Sequence, residues 1–502
     1  MRKISILLLL ALSACSFLDE NPLGQRTREE VVTSEATLYL NTLGNLYRMI
    51  GGSEAGQGLA GTYGGVYDLN TFTTDEAILP TRAGDWYDGG LWQRLYLHRW
   101  EVIEAPVKDA WNYLYKVIVM ANQAIEDLSG KPEWQQEARA VRAMYYYYLL
   151  DMFGRVPIVT SPDVAMSEVA QSERADVFRF VVKELEDVAD DLPFELSNRP
   201  GKWYGRMTRP VVWFLLAKLY LNAPVYVGKE YYDKVLEYCD LIPQAGYELE
   251  PDYADNFAVY NESSRENIFT IPMDKHLYSA QNQYLFRSRH YEHAAACGFT
   301  GENGSSATLE VLYANAFGTE EEDPRFKVNY WGGVPVDLDG KPIDLEYKPW
   351  SVALDVSGTP DEKVAGARMK KYEIDPSAMM DGKLMDNDWV LFRYADVLLM
   401  KAEALLRTDK VDDAIDCVNL VRERAGADKF DTLTEDMLLD ERLREFAWEG
   451  LRRQDLIRFG GYGKPWSFRP ALPGEESGFT NLFPIPDDVL ALNPNLTQNP
   501  GY

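Results

Sequence analysis

Cysteine is scarce in this chain, with only four among 502 residues. They are Cys15, Cys239, Cys297 and Cys417, and no two of them form a CxxC pair or stand at a metal-ligand spacing. A small secreted scaffold would need an even set of closely spaced cysteines, and a zinc site would need paired ones. A disulfide framework and a cysteine-ligated metal centre are therefore not indicated.

Positive charge is also in short supply. Lys and Arg together number 51 against 79 Asp and Glu, which gives a formal net charge of -28 at pH 7. Proteins that bind nucleic acid or anionic membrane surfaces rely on an excess of basic residues. The composition therefore argues against nucleic acid as a partner and against electrostatic attachment to an anionic bilayer.

Familiar catalytic and metal-binding motifs are missing. The sequence contains no G-x-S-x-G, Walker A or dinucleotide fingerprint. The run His290-Tyr291-Glu292-His293 matches neither H-E-x-x-H nor H-x-x-E-H, and Asp337-Leu338-Asp339-Gly340 lacks the remaining ligands of an EF-hand. An incidental cluster and a hairpin turn are the better interpretations. No catalytic residue, cofactor or metal ion is predicted.

Apolar runs long enough to cross a membrane are absent as well, but a shorter one stands near the N-terminus. Arg2 and Lys3 precede the apolar run Ile4 to Leu12, which is too short to span a bilayer. Small residues then lead to Cys15, as in a bacterial lipoprotein signal. We expect residues 1–14 to be a signal peptide and Cys15 to carry the lipid anchor, since several acyl chains hold a protein stably at a membrane. A plain secretory signal with an incidental cysteine is the alternative.

The stretch that organises the rest is Trp389 to Gly426. Its first half, up to Leu406, predicts one helix that is apolar on almost every side apart from a line of polar residues. A short turn, Thr408 to Lys410, leads to a second helix that ends at Gly426. Such a helical hairpin is the unit of tetratricopeptide-type arrays and needs further hairpins to cover its apolar surface.

We expect the rest of the chain to supply the further helical hairpins. We predict an all-α dominated, tetratricopeptide-like array in a single domain, 28–502, preceded by a tether, 15–27. Its helical repeats fall in 28–242 and 386–460, and an extended tail follows at 461–502. Helical periodicity fades in 243–385, which predicts a loop-rich insertion carrying a small β element, with a hairpin turning at Asp339-Gly340. The Gly-rich stretch 51–90 is predicted to be loop, and 436–459 one helix.

Several long segments together resemble the SusD/RagB family. They are Cys15 followed by FLDENP, then TTDEAILPTRAGDWYDGG, EARAVRAMYYYYLLDMFGRVPIV, LFRYADVLLMKAEALL, ERLREFAWEGLRRQDLIRFG and FPIPDDVLALNPNLTQNPGY. The resemblance implies an outer-membrane lipoprotein of Bacteroidetes, anchored at the cell surface. It further implies capture of oligosaccharides for a SusC-like TonB-dependent transporter barrel, and binding rather than catalysis. No segment ties the chain to a particular sugar.

Sugar binding requires flat aromatic faces and in-plane hydrogen-bonding groups. Trp86 is the first candidate, because it lies in a glycine-bracketed loop beside Arg82, Asp85, Tyr87 and Asp88. A loop tryptophan folded onto the helices is the alternative. The weaker candidates each have a structural alternative, namely an Asx turn, a surface ion pair or core packing. These candidates are Asp68, Arg368, Tyr291, Cys297 and Tyr394.

Three other functions stay open from the residues alone. The captured nutrient could be a peptide rather than a glycan, and a plain helical scaffold could bind another protein. A surface glycoside hydrolase would need two essential carboxylates, which 79 acidic residues neither identify nor exclude.

Overall fold

The structure is a computed structural model that describes residues 35–52, 57–60, 63–277, 283–312 and 323–502. The predicted signal peptide, Cys15 and the tether lie outside these residues. Eight helices of ten residues or more form the framework: α1 Ala105–Asp127, α2 Pro132–Met152, α3 Arg174–Ala189, α4 Arg209–Leu221, α5 Tyr232–Leu241, α6 Tyr394–Leu406, α7 Val411–Ala425 and α8 Glu435–Phe446. Within the described ranges, no helix combines the length and apolar content needed to cross a bilayer.

The long helices pack as a consecutive array. Each of α1 to α4 contacts the next helix along the chain, and α6 pairs with α7 as the predicted hairpin. Helix α5 packs directly against α6, so the array continues across the insertion that separates them in sequence. The prediction of a helical-hairpin array is confirmed. Stacking is required because α6 is buried on nearly every side and cannot cover itself.

Shorter helices lie outside the framework of eight long ones. They are Glu35–Tyr39, Asn45–Gly51, Val66–Thr71, Leu91–Tyr96, Ala223–Val227, Tyr284–Ser288, Tyr291–Ala296, Leu309–Leu312, Arg325–Asn329, Arg452–Arg458 and Asp487–Leu492. A π-helical turn, Leu40–Gly44, joins the first two.

Six short strands occur among the described residues: β1 Ala77–Ile78, β2 Asn267–Ile271, β3 Ser306–Ala307, β4 Tyr330–Trp331, β5 Arg368–Met369 and β6 Trp389–Arg393. They form two antiparallel sheets, one with the order β1-β3-β5-β4 and one that pairs β2 with β6. The predicted turn at Asp339-Gly340 is present as a single bridge between Val336 and Pro342. The small β element of the insertion is thus confirmed.

The predicted start of the central helix is wrong. Trp389 to Arg393 form strand β6, and the helix begins only at Tyr394. Strand β2 of the insertion pairs with this segment, and four of its five residues are buried. A continuous apolar run of this length suits a buried strand as well as a buried helix, so periodicity could not separate the two.

The prediction of one helix over 436–459 is also wrong. The chain leaves the helical conformation after Phe446 and resumes it at Arg452. Trp448 between them adopts a positive φ of 67° and donates its backbone N–H to Glu76. Glu449 pairs with Arg393 of β6. Contacts with distant parts of the chain therefore break a segment whose local sequence is helical throughout.

Candidate functional site

A cavity of about 510 Å³ opens where the loop containing Trp86 meets the insertion. Pockets of this size accommodate small ligands, and aromatic walls with a few convergent polar groups are typical of them. We call this cavity the aromatic pocket. It is lined by Tyr63, Asp85, Trp86, Asp88, Gln283, Tyr291, Glu302 and Lys383.

The loop that carries Trp86 is built on left-handed backbone. Arg82 and Asp85 exchange both of their backbone hydrogen bonds, each 3.0 Å long, across a two-residue turn at Ala83-Gly84. Ala83, Trp86 and Asp88 adopt positive φ angles of 52°, 61° and 41°. Such angles are uncommon in non-glycine residues and persist only when surrounding contacts enforce them.

The same feature recurs in the other loops of the pocket. Asn303, next to the lining residue Glu302, has a φ of 53°. Met380 and Asp381, just before Lys383, have φ angles of 49° and 59°. Strained backbone concentrates at ligand-binding sites, where position matters more than local stability. Its occurrence on three separate loops around one cavity marks that cavity as the candidate site.

Trp86 is held firmly but not covered. Its indole N–H donates a 2.9 Å hydrogen bond to the carbonyl oxygen of Glu302. Gly304 lies against the indole, and a Cβ at that position would come within 2.5 Å of the ring. The rings of Tyr63 and Trp92 each lie 6.1 Å from that of Trp86. Trp86 is half-buried: the ring packs on the fold and also lines the cavity, and its role in binding a ligand stays a prediction.

Carboxylates and phenols supply the polar rim. Asp88 Oδ2 accepts hydrogen bonds from the indole N–H of Trp92 at 2.7 Å and from the Tyr63 hydroxyl at 3.3 Å. Burial and the neighbouring Asp88 raise the pKa of Tyr63 to about 12, so this phenol stays neutral. The Tyr291 hydroxyl donates to Asp85 Oδ2 at 3.3 Å. The pocket therefore offers neutral hydroxyls and carboxylate oxygens beside aromatic rings.

Two of the six sequence-predicted ligand residues meet in this pocket. Trp86 and Tyr291 are far apart in sequence, yet both line the cavity, and Tyr291 is 42% exposed. Tyr394 is half-buried at the start of α6, where it packs against the core of the helical array. It is not among the residues that line the pocket.

Asp68 lies behind the pocket rather than in it. The segment Val66–Thr71, predicted as loop, forms a short helix, and Asp68 on it is fully buried. Both of its oxygens accept from Arg287, at 2.7 and 2.8 Å. The carbonyl oxygen of Arg287 in turn accepts from the backbone N–H of Gly304, which supports the Trp86 ring. Asp68 thus has a structural role, because a buried carboxylate requires such a partner.

Arg368 and Cys297 are also buried. The Arg368 guanidinium lies 5.0 Å from the centre of the Tyr347 ring and donates to the carbonyl oxygen of Lys363 at 3.0 Å. Burial lowers its pKa to about 10. Cys297 follows the helix Tyr291–Ala296, and burial raises the pKa of its thiol. Neither side chain has the exposed surface that hydroxyl recognition requires, nor does Arg368 form the surface ion pair considered for it.

The histidines of the run 290–293 hold the structure together. The Nδ1 atom of His290 accepts a 3.1 Å hydrogen bond from the backbone N–H of Glu292 and so caps the helix Tyr291–Ala296. His293 is fully buried, with Nδ1 3.0 Å from the Tyr347 hydroxyl. Among the described residues, no group of three or more His, Cys, Asp or Glu side chains could hold a metal ion.

Sequence reasoning missed half of the pocket. Tyr63, Gln283, Glu302 and Lys383 were not singled out, although three of them stand beside glycines in loop-like sequence, as Tyr63-Gly64, Gly301-Glu302 and Gly382-Lys383. Glycine next to a polar residue is too common to identify a site alone. Only the fold shows that these loops converge.

The helical array and the aromatic pocket together define a binding protein of the helical-repeat class. Two family models match the chain, one described as the SusD family over residues 319–502 and one as starch-binding associating with outer membrane over residues 55–221. The chain belongs to the SusD family.

Individual relatives extend over almost the whole chain. The starch-binding protein SusD of Bacteroides thetaiotaomicron is 26% identical over 89% of this chain and 87% of its own length. SusD-like protein P2 of Formosa agariphila is 25% identical over 99% of this chain and 98% of its own.

Solved structures share the fold. A laminarin-binding SusD-like protein superposes with a TM-score of 0.72 at 20% identity, covering 93% of this chain and all of that one. A SusD-like protein from Bacteroides fragilis gives a TM-score of 0.75 at 18% identity, covering 95% of this chain and 99% of that one. At these identities the likeness establishes architecture, so the ligand must be argued from the pocket.

Proposed function

We propose that this protein is a cell-surface glycan-binding lipoprotein that captures oligosaccharides in the aromatic pocket and delivers them to a TonB-dependent transporter of the outer membrane. The observation that carries the proposal is the convergence of Trp86, Tyr63 and Tyr291 with three carboxylates around one open cavity. Aromatic faces stack on the C–H faces of sugar rings while carboxylate oxygens accept their hydroxyl protons.

The relatives support the ligand class and the location. One relative is named a starch-binding protein, one structure is named laminarin-binding, and one matching family model is described as associating with the outer membrane. These names describe binding rather than catalysis. The lipid anchor at Cys15 and the transporter partnership follow from the family resemblance and are part of the proposal.

The central test is the variant Trp86→Ala. A central aromatic contact contributes roughly 2 kcal/mol or more to binding, so we expect affinity for the bound oligosaccharide to fall about thirtyfold. Isothermal titration calorimetry with laminarin and starch oligosaccharides measures this, and thermal unfolding is followed in parallel. Because Trp86 is only half-buried, its loss should cost less stability than the roughly 3–5 kcal/mol of a fully buried tryptophan.

Trp350 provides a matched control. It is 53% exposed and does not line the aromatic pocket. We expect Trp350→Ala to bind like the wild type. Binding that survives Trp86→Ala unchanged, or that is lost equally in both variants, would contradict the placement of the glycan site.

A further inference from the structure

The aromatic pocket has an uneven distribution of charge. Four of its eight lining side chains are acids or bases. Three are carboxylates, Asp85, Asp88 and Glu302, and the fourth is the ammonium group of Lys383. The two phenols of the pocket, Tyr63 and Tyr291, are neutral at pH 7, and burial and the adjacent aspartates raise their pKa values further. At the surface that a ligand touches, negative charge therefore exceeds positive charge.

Cationic side chains outside the pocket lining offset the charge of only one of these carboxylates, Asp85. Lys363 approaches Asp85 to 3.5 Å, and the buried guanidinium of Arg82 lies beneath the same turn, where it donates to the carbonyl oxygens of Glu362 and Ala365. Buried Arg368 lies close enough to Arg82 to lower its pKa, after burial itself. The Asp85 side of the pocket is thus compensated.

The other two carboxylates, Asp88 and Glu302, are not compensated in the same way. The other nearby guanidinium, Arg287, is already paired with Asp68 through two hydrogen bonds. Among the pocket-lining residues, Lys383 is therefore the only cation that can offset the charges of Asp88 and Glu302. The charge of Asp88 also acts on Glu302. Burial raises the pKa of Glu302 and Asp88 raises it further, while Lys383 and Arg287 oppose the change.

Both carboxylates retain free acceptor capacity. Asp88 uses Oδ2 for its bonds to Trp92 and Tyr63, and within the described part of the chain Oδ1 has no donor. The Glu302 side chain likewise has no hydrogen-bond donor among the described residues. A carboxylate can accept several hydroxyl protons, which suits the vicinal hydroxyls of an uncharged sugar. A ligand carboxylate or sulfate would meet like charge there instead.

We propose that the aromatic pocket selects uncharged oligosaccharides and rejects those that bear uronate or sulfate groups, with Asp88 and Glu302 as the discriminating residues. The inference rests on the proposed glycan-binding function and narrows its substrate class. Trp86 supplies the sugar-stacking surface for either kind of ligand, so charge is what separates them.

The test compares matched ligands that differ only at C6, where the uronate has a carboxylate in place of the hydroxyl, and salt dependence isolates the contribution of charge. Laminarin and starch oligosaccharides are titrated into the purified protein, and whichever binds is oxidised at C6 to the corresponding uronate and titrated again. We expect the oxidised ligand to bind at least tenfold more weakly. Its affinity should rise between 0.05 and 0.5 M NaCl, because salt screens repulsion, while the affinity of the neutral ligand should stay constant.

Glu302→Gln assigns the effect to the pocket. The amide keeps the shape of the side chain, removes its charge and loses one acceptor oxygen. We therefore expect the oxidised ligand to bind several-fold more tightly than it binds the wild type, and the neutral ligand to bind somewhat more weakly, so that the ratio of the two affinities falls. Glu195→Gln removes an exposed carboxylate that does not line the pocket, and it should change neither affinity.

The outcomes separate this inference from the proposed function. If the oxidised ligand binds as tightly as the neutral one, or loses affinity with added salt, the buried arginines dominate and charge selection is overturned while glycan binding stands. Failure of Glu302→Gln to improve binding of the oxidised ligand would also overturn the assignment. If no neutral or oxidised glycan binds, the proposed function itself fails and takes this inference with it.

Discussion

At the scale of single residues, burial decides what each polar side chain does. Asp68 and Asp88 both lie in the Gly-rich segment that precedes α1, yet Asp68 is sealed against Arg287 while Asp88 lines an open cavity. Arg368, one of the weaker candidates for binding hydroxyls, instead stacks on Tyr347 inside the insertion. A buried charged group must be satisfied by the protein, so it has little capacity left for a ligand.

His293 gives a residue-scale prediction on pH. It is fully buried, and burial together with Arg289 lowers its pKa to about 3. The folded protein therefore binds the proton less tightly than the unfolded chain, whose histidine titrates near 6.5. Protonation favours unfolding, and stability falls as pH decreases from about 6.5 towards 3. Between pH 6.5 and 4.5 we expect this residue to cost about 2 kcal/mol.

The measurement compares thermal unfolding of the wild type and His293→Gln across that range. Glutamine preserves a polar side chain without a titrating proton, so the variant should show a shallower loss of stability on acidification. Other buried groups titrate in both proteins and cancel in the comparison. Parallel curves for the two proteins would show that His293 is not a source of acid sensitivity.

At the scale of elements, the polar residues of the central helix α6 lie at its contacts with other helices. Asp396 on α6 pairs with Lys218 of α4 and Arg442 of α8, each at 2.8 Å. Glu403, two turns later, pairs with Arg458 at 2.7 Å. Charges that would normally face water are thus buried in complementary pairs. An arrangement that separated one of these pairs would leave an uncompensated buried charge. The pairs therefore favour one packing arrangement of the helices.

The apolar positions of α6 give an element-scale prediction. Leu398 is 7% exposed and lies in the hydrophobic cluster shared by α6, α7 and α8. We expect Leu398→Asp to lower the free energy of unfolding by several kcal/mol, because the new carboxylate has no partner there. Thermal unfolding and soluble yield report the loss.

Leu420 on α7 is the matched control. It is 52% exposed, so Leu420→Asp makes the same chemical change in contact with water. This variant should melt within a few degrees of the wild type. If Leu398→Asp were as stable as Leu420→Asp, the assignment of α6 to the centre of the array would be untenable.

At the scale of the whole molecule, the array serves as a frame and the intervening loops build the site. The lining residue Tyr63 precedes α1 in sequence, whereas Lys383 lies in the insertion between α5 and α6. The β1-β3-β5-β4 sheet joins the early loop to the insertion. The C-terminal segment folds back on α2, where Phe483 donates its backbone N–H to Met152. Distant parts of the chain are therefore interdependent.

The proposed anchor gives a whole-molecule prediction. Replacing Cys15 by Ala removes the acylated side chain that would hold so acidic a protein at a bilayer. We expect Cys15→Ala to leave the outer-membrane fraction of the native host and to stop co-purifying with a large barrel protein in gentle detergent. Fractionation followed by affinity purification measures both. Retention of the variant in the outer membrane at the wild-type level would refute the lipoprotein prediction.

The sequence by itself determined the helical array, the position of its hairpins, the loop-rich insertion and the family, because these depend on local periodicity and on long characteristic segments. It also singled out Trp86 and Tyr291, which both line the aromatic pocket and whose role in binding stays a prediction. The strand Trp389–Arg393, the break at Trp448 and the buried roles of Asp68 and Arg368 were decided only by tertiary structure. The convergence of Glu302 and Lys383 with Trp86 was decided there too. Each of these features depends on contact with residues far away in the chain, and such contacts leave no periodic signal in the local sequence.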